Sequence, residues 1–295
     1  MAPAILIIGA TGNTGRSVAE TLPKLLKSSH IMSEDRVLAL TRSAGSPVAR
    51  QIAELPGVRA FVASPVDPSQ FAEESTFLVA ALNAGVKYVV RISTTAANVR
   101  PDCKAFYPRT HWAIESLLSS PEFASLQWTS LQPNVFSPLY LSTAAELIKQ
   151  YRKTGEQDTL RLMASKDAPV GIIDPYEIGV FAAHLLSQVD PVPHNKARYV
   201  LNGPEDITGK HIVDMVEQHI GAQVKDVSYK DVSFVDYLAS SAESSQAKTI
   251  ILSLKNAPET AWEGKCTAST TSKEVLDIAA PKRTPAEVLK TLLEA

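Results

Sequence analysis

Glycines at positions 9, 12 and 15 follow a short apolar run, Ile5 to Ile8, and precede a stretch of helical character from Ser17 to Leu26. Those residue types at that spacing make a phosphate-binding turn. The segment reads Gly9-Ala10-Thr11-Gly12-Asn13-Thr14-Gly15-Arg16. Gly9 permits a tight turn, Gly12 lets the backbone approach a pyrophosphate, and Gly15 lets the helix pack close to the strand. The first-turn N–H groups and the helix dipole then face the phosphates, with Thr11, Asn13 and Thr14 in the same turn. The bland alternative is a strand-to-helix turn that is merely tight.

A second strand, Arg36 to Thr41, ends in Thr41-Arg42-Ser43. The end of the second strand is where a dinucleotide's adenosine ribose sits in such an arrangement. An acid there favours NAD through the ribose 2′-hydroxyl, and an arginine favours NADP by pairing with the 2′-phosphate. No acid is present and Arg42 is, so NADP(H) is the expected cofactor, with Arg16 as a helper. Other candidates follow from position. Ser64 and Pro65 end one strand, Ser93 and Thr94 end the next, and Pro133, Asn134 and Phe136 follow a third. In an open parallel sheet, ligands bind at the carboxyl ends of the strands. Ser93 and Asn134 can bond a carboxamide or substrate, and Phe136 can wall a nicotinamide pocket. Loop packing is the competing explanation for each.

The elements that must position these groups alternate. Strands are predicted at Arg59–Ala63, Lys87–Ser93 and Gln127–Gln132, with helices at Pro47–Leu55, Gln70–Asn83 and within Tyr107–Ser119. Such alternation implies an α/β fold with a doubly wound parallel sheet. Gly85 is a natural helix C-cap, and Asp174-Pro175 is a helix start with Asp as N-cap and Pro at the first position. A helix from Thr208 to Gly221, a strand within Gln223–Tyr229, a mostly helical Phe234–Leu254 and a terminal helix from Thr284 complete the chain. The strand Tyr199–Leu201 is expected to join the main sheet.

The 295 residues suffice for one large domain, or a domain with a smaller lobe. A formal net charge of −2 provides no basic field for nucleic acid. Cys103 and Cys266 have neither CxxC spacing nor a disulfide framework. His211 and His219 lie about 12 Å apart along a helix, too far for one metal ion, and no metal site is expected. No stretch approaches the roughly 20 apolar residues of a membrane span, and no charged-then-apolar leader opens the chain. A cytoplasmic location is expected. A serine nucleophile elbow and a phosphate-loop lysine motif are both missing, which leaves hydrolase and kinase readings without support.

Taken together, Gly9-Ala-Thr-Gly12-Asn-Thr-Gly15, Asn83-Ala-Gly85-Val-Lys87-Tyr-Val-Val-Arg-Ile-Ser93 and Leu131-Gln-Pro133-Asn134-Val-Phe136 resemble the NmrA-like family of atypical short-chain dehydrogenase/reductases. Gly171-Ile-Ile-Asp174-Pro-Tyr and Tyr199-Val-Leu-Asn-Gly-Pro204 also fit. The resemblance is specific in the first 135 residues and looser after 205. It implies a Rossmann-type NADP(H)-binding domain over 1–204, to which 136–170 adds part of the substrate lobe, and a small C-terminal α+β substrate lobe over 205–295. It also implies a small-molecule substrate and either NADPH-dependent reduction of a carbonyl, quinone or iminium group or a dinucleotide-sensing regulatory role. A homodimer or a regulatory protein partner is compatible with it. One departure stands out. Between Leu55 and Gln70 there is room for a single strand, since a parallel crossover needs about a dozen residues. One strand-helix unit after the second strand is therefore expected to be missing, giving the strand order 2-1-3-4-5.

In typical members of the superfamily a tyrosine donates the proton, and a lysine one helical turn later lowers its pKa and holds the nicotinamide ribose. Here the pair reads Tyr107 and His111. Spacing puts both on one helical face, and histidine can hydrogen-bond a ribose hydroxyl or act as general acid near neutral pH. Pro108 threatens the register, because Tyr107 before it can fall outside the helix. Glu115 reads as a solvated helix residue, and Trp262 and Phe234 as core residues rather than pocket walls.

Overall fold

The computed structural model describes residues 4–28, 36–40, 60–62, 68–242 and 244–295. Arg42 and Ser64, and the predicted helix Pro47–Leu55, lie outside the described residues. The first half alternates: β1 (Ala4–Ile8), α1 (Asn13–Ser28), β2 (Arg36–Leu40), β3 (Ala60–Val62), α2 (Gln70–Asn83), β4 (Tyr88–Ile92), α3 (Phe106–Leu118), β5 (Gln127–Pro133). The second half runs α4 (Ser137–Thr154), β6 (Leu160–Leu162), α5 (Pro175–Leu186), β7 (Ala197–Leu201), α6 (Gly209–Ile220), β8 (Val227–Tyr229) and the helices α7 (Phe234–Ser240), α8 (Ser245–Leu252), α9 (Glu259–Trp262), α10 (Lys273–Ala279) and α11 (Pro285–Glu294).

The main sheet has the order β2-β1-β3-β4-β5-β7, and every pairing in it is parallel. This is the doubly wound Rossmann-type arrangement that alternating elements imply. The short strand β3 pairs directly with β1, through Leu6 opposite Ala60. Residues 41–59, where a further strand-helix unit would have to lie, are outside the described residues.

Pleating sends alternate residues of each strand to opposite faces. On one face Ile7, Val90 and Leu131 pack with Val18 and Leu22 of α1 and Phe181 and Leu185 of α5. On the other face Val89 and Trp128 pack with Leu78 of α2 and Ile114 and Leu118 of α3. A third core joins Leu141 and Ile148 of α4, Leu162 of β6, Ile212 and Val216 of α6 and Leu289 of α11. Beside it β6 pairs with β8 in a separate small sheet. The carboxyl ends of β1, β4 and β5 thus open toward the segments that carry the candidate residues.

Two sequence signals act locally as expected. Asp174 accepts a hydrogen bond from the Tyr176 backbone N–H at 2.8 Å and caps α5. Thr208 and His211 form a capping box at the start of α6, which gives His211 a structural duty.

Candidate functional site

The turn after β1 is shaped by its glycines. Gly9 has φ of +76°, a conformation that side chains rarely adopt. The Gly12 N–H donates to the Gly9 carbonyl at 2.9 Å. A Cβ on Gly15 would lie 2.2 Å from the Gly9 oxygen, so only glycine fits there. Gly12 and Asn13 are exposed, while Thr14 and Gly15 are buried. The first backbone N–H groups of α1 have no partner inside the helix, and they open beside exposed Gly12. Across the interface, a Cβ on Gly179 of α5 would lie 2.4 Å from the Thr14 carbonyl and 2.0 Å from Ser17 Oγ. Ser17 Oγ in turn donates to the Tyr176 carbonyl at 2.5 Å. Helix α1 is therefore clamped against α5, which fixes where its N-terminus points. Arg16, on the exposed side, pairs with Glu20 at 2.8 Å.

Ser93 continues β4. Its N–H donates to the Leu131 carbonyl at 2.7 Å, and its buried Oγ has no hydrogen-bond partner. Ser137, at the first turn of α4, likewise buries an unpartnered Oγ. Buried hydroxyls are normally satisfied, so these two fit a site that receives polar groups from a ligand. Asn134 differs. Its amide nitrogen donates to the Gly171 carbonyl, Asn202 Oδ1 and the Cys266 carbonyl at 3.1, 2.9 and 2.9 Å, and its oxygen accepts from the Val135 N–H at 2.8 Å. It knots the end of β5 to three other segments. Phe136 is half-buried against the α1/α5 core just before the first residue of α4, and Pro133 ends β5. The glycine cradle and the orphaned serine hydroxyls suit a dinucleotide.

Helix α3 includes Tyr107 despite Pro108, because proline is tolerated in a first turn. Tyr107 and His111 stand one turn apart, with rings edge-to-face at 6.2 Å. Thr94 Oγ1 donates to the Tyr107 hydroxyl at 3.4 Å. Burial pushes the Tyr107 phenol upward, and the Thr94 bond only partly offsets this. His111 is buried. Burial, and then the Arg91 guanidinium beside it, hold the imidazole well below its ordinary value.

Arg91 is fully buried, and charged residues surround it. Its Nε donates to Glu74 at 2.5 Å, its Nη1 to Ser130 Oγ at 2.9 Å and its Nη2 to His111 Nδ1 at 2.8 Å. Glu115 is buried, which corrects its reading as a solvated residue. It accepts from Ser130 Oγ at 2.7 Å, from Gln132 Nε2 at 3.2 Å and from Arg198 Nε at 2.7 Å. An arginine inside a β-branched strand is the one signal that could have marked this network. Phe234 is 40% exposed rather than in a core, and the Trp262 indole donates to the Met163 carbonyl at 2.8 Å. No group of three or more His, Cys, Asp or Glu among the described residues could hold a metal ion. Among the same residues no helix is long and apolar enough to cross a membrane.

No family model matches the chain. An NADPH-dependent quinone oxidoreductase from Escherichia coli, solved with NADPH, superposes with a TM-score of 0.70 at 20% identity, over 98% of this chain and 99% of that one. NmrA, a negative transcriptional regulator, superposes with a TM-score of 0.65 at 14% identity, over 100% of this chain and 96% of that one. The chain shares the Rossmann-type fold of these proteins, over the parallel sheet and the packed lobe beside it. In sequence, the chain is similar to an NAD(P)H azoreductase from Xenophilus azovorans, 25% identical over 236 residues that cover 76% of each chain.

Proposed function

We propose that this chain is an NADPH-dependent reductase that passes hydride to a small, apolar carbonyl, quinone or iminium group. The observation that carries the reading is the Gly9–Gly15 cradle at the head of α1, where a side chain on Gly15 would strike the Gly9 carbonyl. The azoreductase and quinone oxidoreductase likenesses support it.

In this reading NADPH, when bound, supplies the hydride. The backbone of Gly9, Gly12 and Gly15, with Thr11, Asn13 and Thr14, holds the pyrophosphate against the N-terminus of α1. Arg42 pairs with the 2′-phosphate, aided by Arg16, and Ser64 contacts the cofactor. The unpartnered Ser93 hydroxyl bonds the carboxamide or the substrate. Asn134 keeps Pro133 and Phe136 in place as the wall of the nicotinamide pocket. Tyr107 provides the proton where the product needs one, and His111 offers an N–H to the nicotinamide ribose. The raised phenol and the neutral imidazole make a weak acid pair. Most of the rate then comes from placing the acceptor against the nicotinamide. Cytoplasmic location and the division into a cofactor domain over 1–204 and a lobe over 205–295 go with this reading.

The second reading is an NADP(H)-sensing regulator with a protein partner. The likeness to NmrA and the lack of a cation at position 111 favour it. Steady NADPH consumption with a panel of quinones, azo dyes and iminium dyes is expected, lost in His111→Ala and lowered in Tyr107→Phe for the quinones and azo dyes, whose products need a proton, but not for the iminium dyes. Tight NADPH binding with no turnover across that panel sinks the reductase and leaves the sensor.

A further inference from the structure

The charged and polar groups around His111 come from several elements, some in contact with the ring and others behind those that are. Arg91 belongs to β4, Gln70 and Glu74 to α2, Tyr107 and Glu115 to α3 itself, and Arg198 of β7 stands behind Glu115. Two guanidinium groups meet two carboxylates, so the cluster is already neutral without a proton on the imidazole. A guanidinium has no acceptor atom, so Arg91 Nη2 at 2.8 Å must donate to His111 Nδ1. Nδ1 then carries no hydrogen, and the ring's single proton resides on Nε2. The Gln70 amide nitrogen lies 3.4 Å from Nδ1 and 3.3 Å from Nε2. The amide nitrogen is itself a donor, so beside a protonated Nε2 it is a packing neighbour of the ring and not a hydrogen-bond partner, and the buried Gln70 Oε1 has no partner.

We infer that Arg91 fixes His111 as a neutral Nε2–H imidazole and bars a second cation from position 111, so that the ring supplies the site with a directed hydrogen-bond donor and no charge. Arg91 acts through His111 and is a positioning residue. What the donor meets, a ribose hydroxyl, rests on the reductase reading. The tautomer and the exclusion of a cation do not. A lysine at 111 would set an ammonium against a buried guanidinium whose negative partners are already matched, which is the arrangement a dry site tolerates least.

The first test is spectroscopic and needs no turnover. In the full-length protein labelled with ¹⁵N-histidine, two-bond ¹H–¹⁵N spectra are recorded from about pH 5 to about pH 8. The His111 signals are identified by their loss in His111→Gln. A proton on Nε2 throughout, with no titration, is expected; a proton on Nδ1, or an imidazolium forming in that range, overturns the proposal. The second test exchanges charge. His111→Lys is expected to lose most of the folded protein or its thermal stability, and Arg91→Met combined with His111→Lys is expected to regain much of it. A stable, fully active His111→Lys protein overturns the exclusion. If neither variant folds, the tautomer measurement decides. In the unmodified protein the pH profile of NADPH oxidation should show no ionisation from His111, and a break that disappears in His111→Gln overturns the locked tautomer. A chain that binds NADPH without turnover counts against the reductase reading alone.

Discussion

At the residue scale, the buried side chains have measurable consequences. His111 is neutral when folded and takes a proton near its ordinary value of about 6.5 once unfolded. Below that pH the unfolded chain binds a proton that the folded chain refuses. Stability from this residue is therefore fully present above about pH 6.5 and falls as the pH drops, by about 1.4 kcal/mol per pH unit. Urea titrations of the parent and of His111→Gln should diverge by that slope on the acid side and run parallel above it. Glu74 faces the fully buried Arg91 at 2.5 Å. Glu74→Ala leaves Arg91 only the longer pairing with Glu115, at 3.6 Å, and should cost about 3 kcal/mol, read as a drop in the urea midpoint. Position 15 is a steric matter. Gly15→Ala would set a methyl group 2.2 Å from the Gly9 oxygen, and should weaken NADPH binding by about tenfold or more while costing about 1–3 kcal/mol of stability. Fluorescence titration with NADPH and a denaturation curve separate those two effects.

At the element scale, the pyrophosphate site depends on a helix contact some distance from it. Helix α1 crosses α5 at Gly179, which has no room for a methyl group against Ser17 and the Thr14 carbonyl. Gly179→Ala should push the helices apart and turn the α1 N-terminus away from its ligand. The expected result is a rise in KM for NADPH of about tenfold, with kcat on saturating cofactor nearly kept. Unchanged KM would show that the crossing does not set the cradle. The knot at Asn134 is another element-scale device. Its side chain ties β5 to residues 171, 202 and 266, so the strand end and the lobe move together. Asp174-Pro175 as a helix start and Thr208 as a cap were both readable in advance, because capping is local chemistry. The clamp at Gly179 was not, since nothing near Gly179 in sequence names its partner on α1.

At the scale of the whole molecule, the sheet order β2-β1-β3-β4-β5-β7 gathers the glycine turn, Ser93 and the end of β5 along one edge. The fold then predicts a ligand effect on the entire chain. NADPH at 100 times its dissociation constant should raise stability by about 2.7 kcal/mol, and NADH at the same concentration by clearly less. Equal thermal shifts with the two cofactors would argue against a 2′-phosphate partner at Arg42.

The sequence alone determined the glycine cradle, the alternation of strands and helices, and the pairing of Tyr107 with His111 on one helical face. Each of these depends on spacing along a short stretch, and short-range geometry is written in the order of residues. Only the tertiary structure decided what His111 is. Its character comes from Arg91 and Gln70, which lie 20 and 41 positions away and meet it, with Glu74 behind Arg91, only once β4, α2 and α3 are packed. The same holds for Glu115, which looks like a surface residue in the sequence but is buried between Ser130, Gln132 and Arg198. Burial and charge pairing are properties of the packed chain, so the ionisation of a site can be assigned only after the fold has brought its partners together.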